Sequence, residues 1–126
     1  MGKPLAMTSD LTLKPTVGLK SGLTIQFAEC PASDEIGDGV AVTEEGFDLI
    51  EPYLRAACAA WTDMHRYGAF ELPLSARVSL VRSLRSGAIR IRNGADNRRG
   101  ESELLDDLAN WLAARRDEAE IRVLGI

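Results

Sequence analysis

From Phe47 to His65 the apolar side chains fall on one arc of a helical wheel, and no other stretch so narrows what this chain can become. At 100° per residue Phe47, Ile50, Leu54, Ala57, Cys58, Trp61, Met64 and His65 lie together. Glu45, Asp48, Glu51, Arg55, Asp63 and Arg66 occupy the other side. A helix patterned this way needs a second layer to cover its apolar stripe. Thr43 stands where an N-cap belongs, with Glu44 and Glu45 in the first turn, where carboxylates meet the positive end of the helix dipole. Pro52 removes one backbone hydrogen bond. It lies on the solvent side of the wheel, so the expectation is one helix bent around a core; the alternative is two helices, the second starting at Pro52.

Strands supply the second layer. Leu23, Ile25 and Phe27 alternate with Thr24, Gln26 and Ala28, the period of a half-buried strand, and Pro31 closes it. Leu11 to Leu13 and Val40 to Val42 suggest two shorter strands. Ile89 and Ile91 alternate with Arg90 and Arg92, which suggests a strand with one wet, basic face. Ile121 to Ile126 is apolar on both faces and is predicted to lie inside the sheet.

Two further helices are expected. Leu74 to Ser86 has Pro73 near its start and Gly87 at its C-cap position. Arg77 and Arg85 share its apolar arc, where their long stems are expected to cover the contact edge and carry the guanidinium groups to water. The alternative is that this face meets an anion. Residues 102–116 form the third helix, with Leu104, Leu105, Leu108, Trp111 and Leu112 inward. The fold class is therefore α+β: a single domain over residues 11–126, in which a small mixed sheet of about four strands packs with three helices. Residues 1–10 read as a flexible N-terminal arm.

A chain of 126 residues with 45% hydrophobic side chains has enough apolar material for one core without a metal or disulfide to hold it. Cys30 and Cys58 do not make a disulfide framework at this length. No basic start leads into an apolar stretch, and no apolar run approaches the ~20 residues that cross a bilayer. The expected setting is cytoplasmic, with both thiols free and no membrane partner.

Charge is distributed unevenly. Residues 28–51 carry eight acids and neither Lys nor Arg, whereas residues 64–100 carry eight arginines against Glu71 and Asp96. The whole chain is nevertheless at −4. If the two segments form separate outward patches, the acidic one suits docking on a basic protein. Asp34, Glu35, Asp38, Glu44, Glu45 and Asp48 are the residues expected to make that contact. An inhibitor or immunity-type protein has this size and balance. The second reading is nucleic-acid binding through Arg82, Arg85, Arg90, Arg92, Arg98 and Arg99, since arginine suits planar contacts to phosphate. Self-association is a further way to use either patch.

Catalytic signatures are weak. His65 and Cys58 share the apolar arc seven residues apart, roughly 10 Å along a helix, too far for a nucleophile–base pair. A small enzyme with a pocket near both residues is the third reading. Asp34, Asp38, Gly39 and Glu45 match parts of a calcium loop, but Ile36 stands where a ligand oxygen is required. No glycine-rich phosphate turn is present. The expectation is a protein without metal or cofactor that binds and does not catalyse.

Overall fold

The computed structural model of the chain describes residues 14–15, 24–30, 39–62, 64–65, 68–94 and 98–125. The elements are β1 (Lys14–Pro15), β2 (Thr24–Cys30), β3 (Gly39–Thr43), α1 (Glu44–Ala57), β4 (Ala69–Leu72), α2 (Leu74–Arg92), α3 (Arg99–Ala113) and β5 (Glu120–Leu124). The strands form one sheet in the order β1-β3-β2-β5-β4, to which β1 adds only two residues. Three helices and a sheet of four full strands make the α+β fold that the sequence suggests. The expected arm at residues 1–10 and the strand at Leu11 to Leu13 lie outside the described residues.

Every pairing among these strands is antiparallel, a departure from the mixed sheet expected. The reason for the last pair lies in the connection. One helix between two neighbouring strands returns the chain to its starting end and gives a parallel pair. Here both α2 and α3 separate β4 from β5, so β5 enters from the opposite end.

Register places the apolar residues together. Val42 lies opposite Ile25, and Val40 opposite Phe27. Phe27 lies opposite Val123, which in turn faces Phe70, and Ile121 faces Leu72. Directly opposed residues share a sheet face. That face meets Phe47, Ile50 and Leu54 of α1 and Leu104, Leu105, Leu108 and Leu112 of α3 in one core. Each large side chain buried this way contributes about 1.5–3 kcal/mol.

Helix α1 begins as its sequence dictates: the Thr43 hydroxyl accepts a hydrogen bond from the Gly46 N–H at 3.1 Å. Pro52 lies inside one helix, not between two. The helix ends at Ala57, however, well short of His65. Cys58 is extended, and Trp61 turns back so that its indole N–H donates to Glu51 Oε2 at 2.9 Å. A continuous helix would hold residues 51 and 61 about 15 Å apart. Glu51, expected in solvent, is therefore buried, with Arg55 bridging it at 3.5 Å. Met64, expected on the apolar arc, is 77% exposed. Trp61 remains in the core, but through a chain reversal that carries Phe47, Trp61 and Phe70 into ring contact at 5.7 and 5.2 Å.

Helix α2 runs on to Arg92, so Ile89 to Arg92 is helix and not strand, and Gly87 is interior and not a cap. Leu80, Leu84, Gly87, Ala88 and Ile91 form its buried stripe, at helical spacing. Two Ile-Arg repeats are too few to separate a period of two from one of 3.6. Strand β4 is an addition, since Phe70 and Leu72 alone give little alternation. Strand β5 does lie inside the sheet, but Arg122 on its other face is exposed. Arg77 is buried at 4% exposure, whereas Arg85 reaches solvent as expected.

Candidate functional site

The acidic candidates divide by where they lie. Asp34, Glu35 and Asp38 fall outside the described residues, as does most of the calcium-like loop. Glu44, half-buried, and the exposed Glu45 and Asp48 occupy the first turns of α1. They are held there by the Thr43 cap and by the burial of Phe47 and Ile50 on the opposite side. Among the described residues no group of three or more His, Cys, Asp or Glu side chains is placed to hold a metal ion.

The arginines of the central segment are drawn toward α3. Arg92 bridges Asp106, Arg98 bridges Glu101, and Arg99 meets Glu103 at 3.2 Å. Arg85 donates to Asn110 Oδ1 at 3.3 Å, and Arg82 is exposed on α2. The basic segment is thus partly neutralised by the carboxylates of α3. From the acidic segment, Glu29 accepts from Arg115 at 3.0 Å, with Arg115 also lying over the Trp111 ring. The close acids of α3 interact in turn. Partial loss of solvent, then the charges of Glu103 and Asp106, raise the Asp107 carboxyl above its ordinary value. A carboxyl raised on folding stabilises the fold most when protonated, so its contribution is lost as pH climbs through that raised value.

His65 and Cys58 do not share a helix. Cys58 is buried with a free thiol at the end of α1. His65 lies 4.7 Å from the Phe70 ring and 5.5 Å from Trp61, and its Nδ1 accepts the Thr62 N–H at 3.0 Å. That bond fixes the imidazole as part of an aromatic wall.

One recess joins two of the expected anion-binding arginines, Arg90 and Arg98, to Tyr53, which the sequence did not single out. Tyr53, Arg90, Ile91, Gly94 and Arg98 line this open recess of about 230 Å³ where α1, the end of α2 and the start of α3 converge. Arg90 Nη2 reaches the Tyr53 hydroxyl at 3.4 Å, and Glu101 fixes Arg98 by accepting from its Nε at 2.8 Å. Tyr53 comes so close to α2 only because residue 87 lacks a side chain: a Cβ there would stand 2.5 Å from the tyrosine oxygen. The sequence held a signal for this, a glycine in the middle of α2, but as a stop signal it pointed elsewhere.

A second, mainly apolar recess of about 150 Å³ lies between Leu74, Val78 and Val81 of α2 and Leu112 of α3. No helix among the described residues is long and apolar enough to cross a membrane. No family model, curated protein or solved structure matches the chain.

Proposed function

We propose that this chain is a non-enzymatic, cytoplasmic protein-binding domain that docks through its acidic face on a partner with a basic surface, in the manner of an inhibitor or immunity-type protein. The observation that supports the reading most is the placement of the acids. Glu45 and Asp48 are exposed in the first turns of one helix, α1, in a chain of net charge −4. A patch of one sign on a rigid helix start steers encounter and fixes orientation. Nucleic-acid binding over a broad basic face has less support, because Arg92 and Arg99 are bridged to Asp106 and Glu103 and must break those bridges to reach phosphate.

The test compares the natural chain with a variant carrying Glu44→Lys, Glu45→Lys and Asp48→Lys. Each protein is immobilised, bound proteins are captured from the native organism, and the purified partner is then used for kinetics. The natural chain is expected to retain a basic protein whose association rate falls about tenfold or more in the variant at low salt. That difference should shrink as salt rises. Circular dichroism checks that α1 survives, since each acid in the first turn stabilises the helix by only about 0.3–1 kcal/mol. Equal rates with equal salt dependence would overturn the reading, and so would capture of nucleic acid in place of protein.

A further inference from the structure

We propose that the recess between α1, α2 and α3 binds a small phosphorylated ligand, with Arg90, Arg98 and the Tyr53 hydroxyl facing the phosphoryl group. The proposal is independent of the docking face, which uses other residues. Three donors from three different elements line one cavity, with buried Ile91 contributing a wall. Donors spread around a concavity suit a tetrahedral oxyanion, whereas a planar carboxylate is satisfied by the fork of one arginine. The volume of about 230 Å³ lies below the ~300–1,000 Å³ of sites for drug-sized ligands, so a phosphate or a short phosphomonoester fits better than a nucleotide.

The recess is also locally built at a conformational cost. Glycine inside a helix is less favourable than alanine by about 1 kcal/mol. Gly87 occupies such a position, and the three atoms of other side chains nearest its missing Cβ all belong to the end of the Tyr53 ring, at 2.5–2.7 Å. The glycine thus seats a phenol hydroxyl beside Arg90 at the edge of the recess. Arg98 is held in register by Glu101, which orients the guanidinium while tempering its charge. Such tempering favours weak, exchangeable binding over permanent capture.

The experiment titrates the natural chain, R90Q, Y53F and R82Q with inorganic phosphate, glycerol phosphate and acetate at matched ionic strength. Calorimetry gives affinity, and amide chemical shifts locate the site. Phosphate and glycerol phosphate are expected to shift the amides around Tyr53, Gly94 and Arg98, while acetate leaves them in place. R90Q should weaken binding about tenfold or more, in keeping with loss of a charged hydrogen bond, and Y53F about threefold. R82Q, on exposed α2 surface outside the recess, should stay within about twofold, because a screened distant charge contributes little. The proposal is overturned if phosphate moves nothing beyond what chloride moves, if acetate binds as well as phosphate, or if R82Q weakens binding as much as R90Q. A single-stranded oligonucleotide that binds more tightly than glycerol phosphate and loses affinity in R82Q would also overturn it, pointing to an extended nucleic-acid face.

Discussion

At the scale of the residue, Arg77 shows how a charge can belong to the interior. Its guanidinium donates to the carbonyl oxygens of Arg116 and Asp117, both at 3.0 Å, and to that of Ala119 at 3.4 Å. These carbonyls form the turn that leads from α3 to β5. Backbone acceptors in a partly buried turn need donors, and one planar cation serves all three. R77A is expected to lower stability by about 3 kcal/mol, because it removes charged hydrogen bonds and leaves acceptors unmet. R77K should recover only a minor part, since an ammonium is compact and cannot span the same set. Urea denaturation of the three proteins measures this. An R77K protein as stable as the natural chain would show that the charge matters and the fork does not. The sequence placed Arg77 correctly on the apolar arc of its helix. It gave no means of telling a guanidinium that reaches water from one that reaches carbonyls 39 to 42 residues away.

Elements begin more legibly than they end. The start of α1 is written locally, in a cap at Thr43 and acids one and two residues later, and the structure follows it. Its end depends on Trp61 finding Glu51, a contact between side chains that local periodicity cannot express. The same holds for α2, where Gly87 has the composition of a stop but the surroundings of a contact. That difference can be measured. G87A would gain about 1 kcal/mol of helix propensity yet force the Tyr53 ring aside, at a typical overpacking cost of about 1–3 kcal/mol. The single variant should therefore be neutral to destabilised. With Y53A already present, the obstructing ring is gone, and G87A should become stabilising by about 1 kcal/mol. A double-mutant cycle reads the reversal of sign directly. If G87A has the same effect in both backgrounds, Tyr53 is not what keeps residue 87 a glycine.

The whole molecule is organised around a strand from late in the sequence. Strand β5 lies between β2 and β4, pairing with residues nearly a hundred positions earlier on one side and about fifty on the other. Its inward residues Ile121 and Val123 are fully buried, between Phe27 on one neighbour and Phe70 and Leu72 on the other. The apolar character of this segment made a strand inside the sheet legible. Its neighbours were not, because pairing partners are chosen by the layer of helices as a whole. Cooperativity follows from this arrangement. Without β5, strand β4 loses its pairing in the sheet, β2 loses one of its two neighbours, and the core loses Ile121 and Val123. Partial folding would leave backbone donors and apolar surface exposed together, which a domain of this size does not tolerate. A chain ending at Ala119 should therefore show no cooperative thermal transition and no slowly exchanging amides. In the full chain I121A should cost about 2–5 kcal/mol, as truncation of a buried isoleucine does. L124A, at a half-buried position, should cost clearly less, since less apolar surface is lost from the core. Calorimetry and hydrogen exchange make the comparison. A shortened chain that still melted cooperatively would mean that α1, α2, α3 and the β2–β3 hairpin form a core without the strand that now joins the two halves of the sheet.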